Sequence, residues 1–214
     1  MSILYDEGQQ AIATESRRVL DARMDKGRLL KLLEQVGEHD QPFWDTAVEQ
    51  GWTALAIPEE HGGLGLGLIE LGLVAQACGA ATSGAPFLTG SYGLSQALLQ
   101  GNDAALASAW LPRLASGEAT GCVAFAEGNA ALPPSLSVTY ADGKLNGTKP
   151  AVAGGLKADL ALVWASAGGE PVLVVAELDG AARSAVASYD NSRLYADLVF
   201  NGTAASVIAS GAAA

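Results

Sequence analysis

The chain has 214 residues, half of them hydrophobic, with two cysteines and a formal net charge of −11. That length suits one large domain or two small ones, and the acidic balance argues against nucleic acid and anionic membranes, since both reward clustered lysine and arginine. We therefore expect no nucleic-acid or membrane partner. The N-terminus shows no signal peptide, which favours a cytoplasmic protein, and Cys78 and Cys122 are expected to be buried free thiols.

The first half of the chain has the apolar spacing of amphipathic helices. Apolar residues recur every three to four positions in EGQQAIATESRRVLDARM and in GRLLKLLEQVG. A third helix is predicted where Asp40 is followed by Pro42. A helix over 69–78 is apolar nearly all round, so we expect it at the centre of the fold. Two more helices follow, the last of them capped by Asn102 or Asp103.

After Gly117 the spacing of apolar residues changes from the three to four positions of a helix to the two positions of a strand. Short runs rich in Val, Leu, Thr and Tyr alternate with turn signals, which are Asp142-Gly143, Asn146-Gly147, Gly168-Gly169, Asp179-Gly180 and Asn201-Gly202. We predict an antiparallel β-sandwich or barrel. The fold class is therefore α+β multidomain, with an N-terminal all-α domain over 1–118 and a β domain over 119–205. A tail over 206–214 looks apolar or helical again.

The segment AIPEEHGGLGLG, residues 56–67, lies between two apolar helical stretches and offers three interpretations. Glu59, Glu60 and His61 would form an acid/base cluster, but adjacent side chains rarely converge on one centre, so a solvated loop is favoured. The spacing G-G-x-G-x-G after a helix does not match a dinucleotide-binding loop, which follows a strand. A tight connection, whose glycines permit close backbone approach, fits best. No spaced set of ligands indicates a metal site.

Four segments, in order, resemble the acyl-CoA dehydrogenase family. They are GWTALAIPEEHGGLGLGLIELGLVAQACG, WLPRLASGEATGCVAFAE, DGKLNGTKPAVAGGLKADLALVWA and SYDNSRLYADLVFNG, which together cover roughly residues 43–203. The resemblance implies an oxidoreductase that removes hydrogens from Cα and Cβ of an acyl-CoA thioester, with FAD as hydride acceptor. It also implies a homo- or hetero-oligomer and an electron-transfer flavoprotein as electron acceptor. In this family a C-terminal helical bundle and a partner subunit complete the flavin site.

The two segments that contact flavin in this family depart from its pattern here. The pattern A-x-T-E-P has Ala126 at the Thr position, and the pattern K-x-W-I-T has Ala151 and Ala153 at the Trp and Thr positions. Backbone groups of Phe125, Ala126, Val152 and Ala153 remain as cofactor contacts. Because the hydroxyl donors and the aromatic wall are missing, we expect FAD to bind weakly or not at all.

The family's catalytic base lies in the C-terminal helical bundle, which has no counterpart in these 214 residues. No catalytic residue is therefore predicted, and we expect this chain alone to be inactive. By resemblance the helix over 69–79 borders the acyl pocket, with Val74 and Cys78 as substrate-binding residues. Its small residues would widen the pocket for a branched or ring-bearing acyl group, as in fatty acid or sterol side-chain β-oxidation. Close helix packing through small residues is the favoured explanation.

Three functions stay open at this point. The chain belongs to a self-sufficient FAD-dependent acyl-CoA dehydrogenase, or it is a degenerate, non-catalytic subunit that pairs with an active homologue in a hetero-oligomer. A third hypothesis is a module that binds acyl-CoA without oxidising it. The missing side chains at Ala126, Ala151 and Ala153 favour the degenerate subunit.

Overall fold

The computed structural model describes residues 5–82, 87–128 and 130–214. Its helices are α1 (Glu7–Arg23), α2 (Lys26–Glu34), α3 (Gln41–Glu49), α4 (Leu68–Ala80), α5 (Ser95–Gln100) and α6 (Ala104–Ala115). A π-helix over Thr89–Leu94 runs directly into α5. Within the described ranges, no helix combines the length and the apolar character needed to cross a bilayer.

The strands follow the helices along the chain, as the change of period predicted. They are β1 (Gly121–Ala124), β2 (Thr139–Ala141), β3 (Lys144–Val152), β4 (Leu160–Ala167), β5 (Glu170–Glu177), β6 (Ala182–Ala185) and β7 (Ala196–Ser210). The order of a helical part and then a β part confirms the predicted fold class. The predicted boundary at 118/119 falls in the connection between α6 and β1.

Two helix starts that the sequence predicted are confirmed by their caps. Asp40 Oδ1 accepts a hydrogen bond from the Phe43 N–H at 3.1 Å, at the start of α3. Asp103 Oδ1 accepts from the Leu106 N–H at 2.9 Å, at the start of α6. Both caps satisfy backbone donors that have no partner inside the helix.

Helix α4 is buried on one face only, which corrects the expectation of a central helix. Leu71, Val74 and Cys78 pack into the helical core. On the outer face, Leu68 is 49% exposed and Ile69 is 54% exposed. An apolar sequence on all sides does not bury a helix when neighbouring elements, here α1 above all, cover only one of its faces.

The connection over 58–67 is the tight turn that the glycines predicted. Gly63 lies so close to Ile57 that an added Cβ would stand 1.9 Å from the Ile57 carbonyl oxygen. The Gly65 N–H donates to the same oxygen at 2.9 Å. Glu59–His61 form a short 3₁₀ turn in which both glutamates are exposed, in agreement with a solvated loop.

The strands close into a barrel through the pairings β4–β5, β5–β7, β7–β3, β3–β2 and β2–β4. A barrel was one of the two predicted architectures, a sandwich being the other, but its sheet is not wholly antiparallel, because β1 and β2 each run parallel to β4. Parallel neighbours need a long connection between them, and the 35 residues 125–159 between β1 and β4 provide one. They include the β2–β3 hairpin, whose turn is the predicted Asp142-Gly143.

Two predicted turns are instead irregularities inside long strands. Asn146 and Asn201 face each other in the β3–β7 ladder, and the register shifts beside them. Asn146 Oδ1 accepts a hydrogen bond from the Gly202 N–H at 2.9 Å. The tail from residue 206 was expected to be apolar or helical, and the helical alternative is wrong for its first half, because β7 continues to Ser210 and pairs with β5.

In the residues that the structure describes, buried apolar side chains form three clusters. The first joins α1, α3 and α4, and the second fills the barrel. The third lies between the last two helices and the sheet, where Leu98 and Leu111 meet Leu160 and Val175. The helical part and the β part are therefore joined by a shared core.

Candidate functional site

The first predicted flavin segment follows β1 directly. Phe125 and Ala126, which come after its last residue, are half-buried. The Phe125 ring packs edge-on against Trp164 of β4, with ring centroids 6.4 Å apart and planes inclined by 61°. The Trp164 Nε1 donor is buried without a hydrogen-bond partner in the described part of the chain. This segment thus presents the Phe125 ring, which packs on Trp164, and the Ala126 methyl group.

The second predicted flavin segment lies in a bulge at the end of β3. The pairing of β3 with β7 shifts register between Lys149 and Val152. Ala151, inside this shift, is exposed and has a left-handed backbone with φ +46°. Its N–H donates to Asp197 Oδ1 at 2.8 Å. Val152 belongs to the barrel core, and Ala153 is half-buried.

A buried ion pair joins the two segments. Lys149 is fully buried, and its Nζ lies 2.7 Å from Glu127 Oε1 and 3.1 Å from the Phe125 carbonyl oxygen. Ser137 donates to Glu127 Oε2 through its N–H and its Oγ, both at 2.6 Å. The Val138 N–H donates to Glu127 Oε1 at 3.2 Å. The Glu127 carboxylate is therefore held by four donors.

These donors determine the charge state of the pair. Burial raises the pKa of Glu127, but the hydrogen bonds from Lys149, Ser137 and Val138 outweigh it and lower that pKa to about 2. Burial also lowers the pKa of Lys149, against the opposing effect of Glu127. The pair is an ion pair at neutral pH because each charge has its compensation next to it.

Sequence reasoning missed this pair, although both residues stand in the motifs that suggested the family. Glu127 and Lys149 are far apart along the chain, and only the placement of β3 beside the end of β1 brings them together. One signal was present in the sequence. Lys149 lies four residues after Leu145, so both point to the same face of β3, and that face is buried. A lysine on a buried strand face requires an acidic partner.

The donor set at these two segments does not fit a flavin held in the family's manner. The side chains of the three alanines at the motif positions are methyl groups, which donate no hydrogen bond. The Phe125 carbonyl already accepts from Lys149 at 3.1 Å, and the Val152 carbonyl accepts from the Gly155 N–H at 3.0 Å. A flavin ring has polar atoms along its edge that need partners when buried. The motif positions Ala126, Ala151 and Ala153 provide that edge with no side-chain donor.

The two residues predicted to bind substrate lie in the core of the helical part. Val74 is fully buried, and Cys78 is buried in the same cluster. Burial raises the pKa of the Cys78 thiol to about 12. A groove of about 400 Å³ beside α4 is lined by other residues of that helix, among them Leu68, Ile69 and Gly72. A substrate role for Val74 and Cys78 stays a prediction.

The match to known proteins agrees with the order of the motifs. A sequence profile described as "Acyl-CoA dehydrogenase, N-terminal domain" matches residues 6–118, which is more than half of the chain. The chain belongs to the acyl-CoA dehydrogenase family. No curated protein sequence matches it.

Solved structures share the fold of this acyl-CoA dehydrogenase family chain over nearly its whole length. The ChsE4–ChsE5 complex from Mycobacterium tuberculosis superposes with a TM-score of 0.83 at 22% identity, covering 99% of this chain and 59% of that one. A glutaryl-CoA dehydrogenase from Mycobacterium smegmatis in complex with FADH2 gives 0.82 at 21% identity, covering 98% and 57%. A variant of the Tcur3481–Tcur3483 steroid ACAD gives 0.81 at 22% identity, covering 97% and 58%.

At these identities the likeness shows the fold. The chain spans less than 60% of the length of each of these three structures. In this chain the two segments predicted to contact flavin lie beside each other, since Lys149 contacts both Glu127 and the Phe125 carbonyl. The side chains that those segments present are what differs from the family pattern.

Proposed function

We propose that this chain is a non-catalytic subunit of an acyl-CoA dehydrogenase and that it pairs with an active, flavin-bearing homologue in a hetero-oligomer. The observation that carries the proposal is that the two segments are held in place while the side chains expected to hydrogen-bond a flavin are missing. The Glu127–Lys149 pair holds the two segments together, while the side chains of Ala126, Ala151 and Ala153 are methyl groups that donate no hydrogen bond to a flavin. A subunit with only a structural role in the oligomer needs the fold of these segments, and it does not need side chains that hydrogen-bond a flavin.

Two of the similar structures support a pairing of unlike chains. ChsE4–ChsE5 is a complex of two named proteins, and the Tcur3481–Tcur3483 steroid ACAD also joins two names. For the assembly that contains this chain we propose an acyl-CoA thioester with a branched or ring-bearing acyl group as substrate, as in fatty acid or sterol side-chain β-oxidation. An electron-transfer flavoprotein is the proposed acceptor of its electrons.

The second candidate is a FAD-dependent dehydrogenase in which this chain holds its own cofactor. It is favoured by the position of the backbone, because Ala126 and Ala153 remain half-buried at the ends of β1 and β3. In that case backbone groups of Phe125, Ala126, Val152 and Ala153 are the proposed cofactor contacts, and binding is weak.

A visible spectrum separates the two candidates. The full chain is purified alone and together with an acyl-CoA dehydrogenase homologue from the same genome, and both preparations are tested for dye-linked oxidation of an acyl-CoA. We expect the chain alone to be colourless and inactive, and the co-purified complex to carry flavin and activity. A flavin band near stoichiometry from the chain alone would overturn the first proposal and support the second.

A triple variant tests whether the three alanines are the cause of weak flavin binding. Ala126→Thr, Ala151→Trp and Ala153→Thr together restore the side chains of the family pattern. We expect this variant to retain more flavin than the parent chain when each is mixed with FAD and passed through a desalting column. Equal retention by both would show that the three alanines do not decide flavin binding.

A further inference from the structure

The sequence contains two Asn-Gly pairs, Asn146-Gly147 and Asn201-Gly202, and the fold places them opposite each other in the β3–β7 ladder. Asparagine is a thermolabile residue. It deamidates fastest before glycine, because glycine has no side chain to keep its backbone nitrogen away from the asparagine amide. Both asparagines are exposed, so water reaches them. Each pair is therefore a candidate site of spontaneous modification.

A bulge takes Gly202 out of the main-chain ladder. The ladder pairs Asn201 with Asn146 and Thr203 with Leu145, so Gly202 has no residue opposite it. Its backbone is left-handed, with φ +68°. Its N–H donates to the side-chain oxygen Oδ1 of Asn146 at 2.9 Å. The nitrogen of Gly202 is thus held across the ladder by a side chain of β3.

The surroundings of the two glycines differ. A Cβ added to Gly147 would stand 3.0 Å from the Val138 Cα, so close packing limits the rotation of this backbone. Among the residues that the structure describes, a Cβ added to Gly202 would meet only the Lys144 Cδ, at 3.9 Å. Packing therefore restrains Gly147, whereas the hydrogen bond to Asn146 restrains the Gly202 nitrogen.

We propose that Asn201 is a deamidation site and that the Asn146 side chain protects it. In the reaction the Gly202 nitrogen forms a bond to the Asn201 Cγ, the Cγ–Nδ2 bond breaks, and ammonia leaves with the proton of the Gly202 N–H. Water then opens the succinimide ring to aspartate or isoaspartate. The hydrogen bond to Asn146 slows the first step, because it keeps the proton on the Gly202 nitrogen and holds this N–H towards β3.

Deamidation at this position changes the strand that joins the two sides of the barrel. Residues of β7 pair with β3 up to Ala204 and with β5 from Ala205 onwards. An isoaspartate at position 201 adds a carbon atom to the main chain between these two sets of pairs, and the register of a strand depends on its residue spacing. Either product also adds a negative charge to a chain of net charge −11. The modified chain should therefore be more acidic and have a weaker barrel.

Tryptic peptide mapping by mass spectrometry tests the proposal, after the full chain has been incubated in mildly alkaline buffer. Cleavage after Lys144 and Arg193 puts Asn146 and Asn201 in separate peptides. Asn146→Ala removes the acceptor and should raise the deamidation rate at Asn201 about three- to tenfold, which is the effect of losing one hydrogen bond. Asn146→Asp keeps an oxygen acceptor at that place and should keep the slow rate of the parent.

Two controls separate protection from a general loosening of the fold. Thr148→Ala, a change at another exposed side chain of β3, should leave the rate at Asn201 unchanged. In urea both pairs lose their surroundings, and since each is followed by threonine, Asn146 and Asn201 of the parent should deamidate at similar, faster rates. Circular dichroism shows whether each variant is folded.

Three results would overturn the proposal. The first is an equal rate at Asn201 in the parent and in a folded Asn146→Ala variant. The second is an Asn146→Asp variant that deamidates at Asn201 faster than the parent, and the third is a folded parent whose Asn201 reacts as fast as in urea. The last two decide the proposal even if Asn146→Ala does not fold. None of these measurements involves flavin or a partner chain, so the proposed function is tested separately.

Discussion

Lys149 Nζ lies 2.7 Å from Glu127 Oε1, in a fully buried position that joins the end of β1 to the bulged end of β3. Removing a charged group from water costs several kcal/mol unless a partner of opposite charge and further hydrogen bonds compensate for it. Here Ser137 and Val138 provide those hydrogen bonds. The pair therefore explains how the two segments stay beside each other although Ala126, Ala151 and Ala153 carry only methyl side chains.

Breaking this ion pair should be strongly destabilising. Lys149→Met leaves the Glu127 carboxylate buried beside an apolar side chain, so we expect the free energy of unfolding in urea to fall by about 3–5 kcal/mol. Adding Glu127→Gln should recover part of that loss, because the orphaned charge is then removed. As a control, Arg18→Met breaks the exposed pair with Glu15 and should change stability little. Equal effects of the buried and exposed changes would contradict the prediction.

Acid should weaken the fold through Glu127. The pKa of its carboxyl is about 2 in the folded chain and 4.5 ordinarily, so as the pH falls the unfolded chain binds this proton first. The stabilisation is fully present above about pH 4.5 and is lost as the pH falls towards 2. Urea midpoints measured from about pH 5 down to about pH 2.5 should therefore decline less steeply for Glu127→Gln than for the parent. Parallel curves for the two proteins would argue against this role.

Gly63 should tolerate no side chain. In Gly63→Ala the new Cβ would stand 1.9 Å from the Ile57 carbonyl oxygen, so the connection before α4 must move. We expect a loss of at least about 2 kcal/mol in urea unfolding. Gly72→Ala is the matched control, because its Cβ meets nothing within 4 Å. Since alanine is the better helix former, Gly72→Ala should raise stability by up to about 1 kcal/mol. A harmless Gly63→Ala would refute the close approach.

Both cysteines should be unreactive in the folded chain. Burial raises the pKa of the Cys78 thiol and of the Cys122 thiol to about 12, and the thiolate is the reactive form. We expect no colour from an aromatic disulfide reagent at about pH 8 without denaturant. Two thiols per chain should react once urea is added. Rapid modification of one thiol in the native chain would show that its surroundings open readily.

Features that depend on neighbours in the sequence were predictable. Asp40 and Asp103 start helices because a cap acts within three residues, and Asp142-Gly143 forms a hairpin because a turn is local. The Asn146 and Asn201 signals, each followed by glycine, were misread as turns. Whether such a pair turns the chain or bulges within a strand depends on a partner strand more than fifty residues away.

The sequence predicted which segments form the candidate site, but it did not predict which of their side chains contact each other. The motifs identified Ala126, Ala151 and Ala153, because a missing hydroxyl or indole is visible in the sequence. The partners Glu127 and Lys149 were not predicted, because they meet only when the barrel closes. The burial of α4 was misjudged for the same reason, since periodicity describes a helix and not what surrounds it.

The cluster in which Leu98 and Leu111 meet Leu160 and Val175 belongs to neither part of the chain alone. Dividing the chain after residue 118 would separate the helical sequence pattern from the β pattern. It would also separate the residues of this cluster into two groups. The helical fragment and the barrel fragment would each expose an apolar surface that favours aggregation. We therefore expect the helices and the barrel to melt in one cooperative transition, so that the boundary read from the sequence divides architectures and not folding units.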